Sequence, residues 1–299
     1  MLIYPGVSAG QLRISFLLNP DRLRMSKKEV PMKIACQEGM VRGKDLKEKL
    51  GKLEEFGYEG IELAGRRLLE DEDWAKEVIK ATKKSAVRPS TICAGYRGCP
   101  LGADREERDM AIGDIKRLLE IGGEIGLEGG LIFVPIFGPP RVPDLSPYKT
   151  ALELEEELLL EVMSELAGHA ERSGCVLLLE PLNRYETHLV KTLSYAASLV
   201  RKVNSPGLRM MADFFHMNIE EADIAGSIRE AGDLIRHVHL ADSNRVLPGY
   251  GHTDFVPGFR ALKELGYDKY MALECGIPGD PDVELPKAAE YLKGLIANL

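Results

Sequence analysis

A short apolar run followed by a longer charged, amphipathic stretch recurs about eight times along this 299-residue chain, beginning at Lys33. The runs lie near residues 33–37, 59–64, 90–94, 130–135, 175–180, 208–213, 235–241 and 270–274. The stretches between them have helical spacing. Leu46, Leu50, Leu53 and Phe56, for example, fall on one face of a 3.6-residue period. The joints are alike as well: Glu-Phe-Gly57-Tyr-Glu, Glu-Ile-Gly126-Leu-Glu and Glu-Leu-Gly266-Tyr-Asp. Each places a glycine where a helix ends and the chain must enter the left-handed region. Alternating strands and helices imply a parallel sheet with helical crossovers. Eight units with no linker predict an α/β protein of one domain, a closed (β/α)₈ TIM barrel over residues 32–299. Residues 1–31 stand outside the rhythm and read as an N-terminal extension, with Met25 or Met32 as alternative starts. The rival is an open doubly wound sheet, but no Gly-x-Gly-x-x-Gly loop follows the first run.

In a barrel of this kind the chemistry sits at the carboxyl ends of the strands. Four successive runs in the second half end in potential metal ligands: Glu180, Asp213, His239 and Glu274. A carboxylate at the end of a buried strand is costly unless something pairs with it. Any one of these acids alone reads as a helix cap or an ion-pair partner. The four together predict one divalent ion at the mouth. Three carboxylates and an imidazole suit Mn²⁺, with Mg²⁺, Co²⁺ and Zn²⁺ as alternatives. His237 lies two residues before His239 on the same strand face and reads as a core or supporting histidine. His169 falls in a helical stretch and is expected on the surface. The acidic residues Glu220 and Glu221 are expected to open a helix after Asp213, where the dipole favours carboxylates. Gly/Pro-rich segments 95–102 and 135–143 follow the third and fourth runs. Their Tyr96, Ile136 and Phe137 either wall a substrate or merely cover the barrel end.

Charge and cysteine usage remove other classes. A net charge of −8 without a basic stripe argues against a nucleic-acid partner. Five scattered Cys with no Cys-x-x-Cys pair support neither a disulfide framework nor a zinc ribbon, which fits a reducing cytoplasm. No apolar run approaches the ~18 residues of a membrane span.

Four segments carry a resemblance: Glu180-Pro-Leu-Asn-Arg-Tyr-Glu186, Asp213-Phe-Phe-His-Met-Asn-Ile-Glu-Glu221, His237-Val-His-Leu-Ala-Asp-Ser-Asn-Arg245 with Pro248-Gly-Tyr-Gly-His252, and Leu273-Glu274. Together they resemble the sugar isomerase/epimerase superfamily of xylose-isomerase-like barrels, with the pattern closest to the ketose 3-epimerases. The resemblance implies a mononuclear metal site on Glu180, Asp213, His239 and Glu274. It makes Glu180 and Glu274 the acid/base pair and Glu186, His216 and Arg245 the substrate contacts. It further implies a small-molecule sugar substrate and a homo-oligomer, dimer or tetramer. The expected reaction is inversion at C3 of a ketose through an enediolate, which a metal stabilises as a Lewis acid while a carboxylate works on each face. Arg245 has the alternative of pairing with Asp242 or another rim acid. Aldose–ketose or hydroxypyruvate-type isomerisation is the alternative on the same barrel. An apurinic-site endonuclease and a non-catalytic binding barrel stand further off. Such nucleases need additional histidines from the early strands, whereas all six here lie between residues 169 and 252.

Overall fold

The computed structural model describes residues 32–299, so the N-terminal extension expected over residues 1–31 lies outside the described residues. Eight parallel strands close into a barrel in chain order. They are β1 (Lys33–Gln37), β2 (Gly60–Ala64), β3 (Arg88–Cys93), β4 (Gly130–Phe133), β5 (Leu177–Leu179), β6 (Leu208–Asp213), β7 (Ile235–Leu240) and β8 (Tyr270–Leu273). The ring closes where β1 pairs with β8 in the register Cys36 to Leu273. On its other side β1 pairs with β2, Gln37 facing Glu62.

The connecting helices are α1 (Leu46–Phe56), α2 (Gly65–Glu70), α3 (Glu72–Thr82), α4 (Arg105–Ile125), α5 (Ala151–Ser173), α6 (Leu193–Val203), α7 (Phe214–Glu220), α8 (Ile224–Ala231), α9 (Val256–Glu264) and α10 (Pro281–Ala297). Their ends follow local chemistry. The Asp45 side chain accepts from the Glu48 amide to start α1, and Thr150 with Glu153 forms a reciprocal capping box at α5. Gly57 and Gly126 close α1 and α4 at φ of 90° and 76°, a conformation that costs a residue with a Cβ about 1–2 kcal/mol. Leu46, Leu50 and Leu53 are buried against the barrel, and Phe56 packs beside them half-buried.

The strand faces under the helices are apolar, as a parallel sheet covered by helices requires, whereas the inside of the ring also buries Glu62, Thr91, His237 and His239. Leu177, Leu178 and Leu179 of β5 are all fully buried. The observed strands stop sooner than the apolar runs suggest in two informative places. β5 ends at Leu179 and β8 at Leu273, so Glu180 and Glu274 are the first residues beyond the ladder, free to turn their side chains across the mouth.

Two local expectations are corrected. Glu220 and Glu221 do not open a helix. The helix after β6 begins at Phe214, because Asp213 itself caps it, and Glu220 is the last residue of α7. Glu220 accepts from the Arg184 backbone and guanidinium instead, and Glu221 accepts from the Leu193 amide and the Ser227 hydroxyl. His169 is not on the open surface. It is half-buried with Nε2 3.2 Å from Glu120 of α4, because α4 and α5 pack side by side. The three residues of the Gly/Pro-rich loops part company. The Tyr96 hydroxyl is pinned to the Val134 backbone and Ile136 is buried, whereas Phe137 is 61% exposed. Among the described residues, no helix is long and apolar enough to cross a membrane.

Candidate metal centre and substrate mouth

Three carboxylates converge at the carboxyl end of the barrel on one nitrogen, Nδ1 of His239. Glu180 Oε1 lies 3.8 Å from it, Asp213 Oδ2 3.9 Å and Glu274 Oε2 3.2 Å. One donor atom from each of these four residues lies within 4.8 Å of the others. Local structure fixes each arm. The Glu180 amide donates to the Phe133 carbonyl of β4, and the Glu274 amide to Leu240 of β7. Asp213 divides its carboxylate. Oδ1 accepts from the amides of Phe215 and His216, capping α7, which leaves Oδ2 turned into the mouth. The cap and the ligand, alternatives when the residue is considered alone, are therefore the same group.

His239 is 0% exposed, and among the described residues its Nδ1 has no hydrogen-bond partner. Its Nε2 lies 2.9 Å from Glu62 Oε2. A carboxylate only accepts, so Nε2 carries a proton and Nδ1 is the atom left to bind a cation. Burial lowers the His239 pKa, but Glu62 and Glu274 outweigh burial and hold the imidazole well above its usual range. The Glu180 carboxyl is pushed well above the usual carboxylate range by burial, with His239 opposing and Glu274 and Asp213 adding repulsion. Burial also raises Glu274, yet the nearby charge of His239 more than offsets it, leaving that carboxyl lowered. A crowd of buried carboxylates around one imidazole nitrogen is a place where a cation is favoured. The unpartnered Nδ1 and three carboxylate oxygens around it fit a divalent metal ion.

Glu186, His216 and Arg245 come to the same mouth. Arg245 Nη1 donates to Glu186 Oε1 at 2.5 Å, and Nη2 is 3.7 Å from Glu274 Oε2. Its guanidinium stands 4.7 Å over the Phe215 ring. The ion pair is with Glu186, not Asp242. Asp242 accepts from the amides of Ser243, Gly249 and Thr253 and so shapes the loop that presents Arg245. Arg245 has φ of 57°, a strained left-handed conformation for a side chain of this kind, held by backbone bonds to Asp242 and Gly276. His216 is buried. Its Nδ1 accepts from the Asn183 amide at 3.2 Å, and Nε2 points to Asp213 Oδ2 at 3.5 Å.

Sequence reasoning missed Glu62. This side chain is 1% exposed in the middle of β2 and accepts from His239 and His237 Nε2, the Thr91 hydroxyl and Gln37 Nε2. Burial alone would raise its carboxyl, but His239 and His237 outweigh that and hold it well below the usual range. His237 is thereby a supporting histidine, as its position two residues before His239 suggests. The available signal was a single Glu inside Gly-Ile-Glu62-Leu-Ala, a buried strand with no other polar side chain.

Residues 50–295 match the model of a family described as Xylose isomerase-like TIM barrel. The chain belongs to that family. One relative is the 3-dehydro-D-guloside 4-epimerase of Escherichia coli (strain K12), 34% identical over 248 residues, covering 81% of this chain and 92% of that protein. The D-psicose 3-epimerase of Ruminiclostridium cellulolyticum is 38% identical over 118 residues, 40% of each chain. Among solved structures, that of 3-keto-D-glucoside 4-epimerase from E. coli superposes with a TM-score of 0.79 at 30% identity, over 88% of this chain and 100% of the other. Membership in this family of barrels, with epimerases as relatives, makes the chain an isomerase.

Proposed function

We propose that this protein is a divalent-metal-dependent sugar epimerase that inverts the carbon next to a ketone, with Glu180 and Glu274 moving the proton on opposite faces. The convergence of Glu180, Asp213 and Glu274 on the unpartnered Nδ1 of His239 carries this reading. Held by those four residues, a divalent ion, with Mn²⁺ the expected one, supplies Lewis acidity to the ketone oxygen. Glu180 and Glu274 leave from β5 and β8, so the sugar between them meets a carboxylate on each side. One takes the proton from the carbon and the other returns it from the far face. Arg245, Glu186 and His216 hold hydroxyl groups of the sugar and fix which carbon stands between the two glutamates.

Two placements of the ketone fit this chemistry. A free ketose with its carbonyl at C2 would be inverted at C3, the reaction named for the D-psicose 3-epimerase relative. A 3-keto-glycoside would be inverted at C4, and the relative named 3-dehydro-D-guloside 4-epimerase, matched over 92% of its length, favours that placement. Incubation in D₂O with a panel of ketoses and 3-keto-glycosides tests both. Deuterium at the inverted carbon is the expected result, at C3 for a ketose or C4 for a keto-glycoside. Label confined to C1 or C2 with an aldose as product would make the protein an aldose–ketose isomerase. Metal analysis should return one ion per chain, with activity lost to a chelator and restored by Mn²⁺. A cytoplasmic homo-oligomer completes the proposal, and sedimentation of the purified protein checks its assembly.

A further inference from the structure

The two oxygens of Glu274 face different company. Oε2 lies 3.2 Å from Nδ1 of His239 and 3.7 Å from Nη2 of Arg245. Oε1 accepts from Nε2 of Gln37 at 3.2 Å and, more weakly, from the Cys93 thiol at 3.6 Å. The same Nε2 of Gln37 donates to Glu62 Oε1 at 2.8 Å. Because both neighbours are carboxylates, which only accept, the amide NH₂ must face them, and its orientation is fixed. Gln37 ends β1, between β8 and β2 in the closed ring. It thus ties Glu274 to Glu62, a buried carboxylate already held by His237, His239 and Thr91. A cavity of about 290 Å³ is lined by Gln37, Glu62, Cys93 and Glu274, so this side of the glutamate opens on space for a ligand.

We infer that Gln37 is the positioning residue of Glu274: it fixes the roll of the carboxylate so that Oε2 faces the metal-binding nitrogen and Oε1 faces the cavity, which makes Oε1 the oxygen that exchanges the proton. This rests on the proposed epimerisation. In the step, the C–H bond next to the ketone breaks, an O–H bond forms on Oε1, and the electron pair passes into the ketone to give an enediolate. Glu180 then delivers a proton to the opposite face, a new C–H bond forms, and the carbonyl is restored. Oε1 takes the Gln37 N–H on one lone pair; the other meets only the weak Cys93 thiol donor at 3.6 Å, which an arriving proton displaces. The terminal torsion of a glutamate is soft. Without the amide between them, Glu62 and Glu274 would confront each other as like charges, and Glu274 would turn.

Gln37→Met keeps the length of the side chain and removes the donor. Its kcat is expected to fall about 10–100-fold, the cost of a misplaced reacting group, with KM within a few-fold of wild type and one metal ion still bound. In D₂O, the epimer deprotonated by Glu180 should exchange its proton at close to the wild-type rate. Exchange from the other epimer should fall in step with kcat. Equal loss from both epimers, or no loss from either, overturns the inference. Gln37→Ala, which cannot clash, should behave alike. A crystal structure of metal-loaded Gln37→Met gives a readout without any substrate. Glu274 rotated about its terminal torsion is expected, and an unchanged carboxylate would sink the idea. A wild type that labels no sugar counts against the epimerase reading alone, and the crystal structure then decides for Gln37.

Discussion

The second half of the barrel supplies every residue around Nδ1 of His239, while the first half supplies the residues that hold them. Glu180, Asp213, His239 and Glu274 stand on or just past β5, β6, β7 and β8. Gln37, Glu62 and Thr91 stand on β1, β2 and β3 and reach inward across the ring. The groups on the second half are under-partnered: an imidazole nitrogen with nothing to bond and carboxylate oxygens turned to one point. Those on the first half are saturated, Glu62 with four donors. Groups meant to meet a cation or substrate keep free valence, and groups meant to orient them do not.

Substitutions sharpen that contrast, the largest effects falling on the second half. Glu180→Gln and Glu274→Gln should each lower kcat by about 10²–10⁴-fold, the range for a positioned acid or base, and Asp213→Ala should lose the metal as well. Steady-state rates and metal analysis read these outcomes, and an active, metal-replete Asp213→Ala would remove the site. Glu62→Gln should weaken metal binding about 10–100-fold without touching the ion, because it loosens the tautomer of His239. Competition with a chelator measures it, and a change as large as that of Asp213→Ala would erase the distinction between the halves. Arg245→Ala should raise KM about tenfold, with the metal retained, if its guanidinium binds sugar hydroxyls.

The smallest effect lies outside the candidate metal centre. The Arg97 guanidinium donates twice to Asp114 of α4 and its backbone amide once, and the guanidinium bonds, ahead of the opposing effect of burial, hold the Asp114 carboxyl below its usual range. A carboxyl lowered in the folded state stabilises at neutral pH, above its unfolded value, and that contribution is lost as pH falls through the folded value. Arg97→Ala should therefore lower Tm by only a few degrees at pH 7, since the arginine is more than half exposed, and the two proteins should converge in acid. Scanning calorimetry across pH follows this.

The sequence made the second half readable because its ligands break apolar runs at their ends. Asp213 after Met-Met-Ala and Glu274 after Met-Ala-Leu interrupt the hydrophobic pattern where a barrel places its chemistry. The rhythm of runs, helical stretches and glycine joints likewise made the closed barrel readable. Glu62 and Gln37 were opaque for the opposite reason. Each acts through a partner far along the chain, Glu62 through His239 177 residues on and Gln37 through Glu274 237 residues on, and the curvature that brings β1 and β2 against β7 and β8 exists only after closure. Arg245 was assigned to the mouth, but its partner was not: pairing with Glu186 depends on the loop that Asp242 folds with three backbone amides.

Asp213 carries a last consequence. One oxygen begins a helix and the other faces Nδ1 of His239, so folding and the proposed chemistry make different demands on a single side chain. Asparagine and serine cap helices about as well as aspartate, yet neither brings the charge a cation needs. A descendant of this barrel that abandoned its reaction would be free to drop Glu180 and Glu274 altogether, but at position 213 it would still need a capping residue. The history of lost activity in such a lineage would be written as Asp changed to Asn or Ser at one place and unconstrained drift at the others.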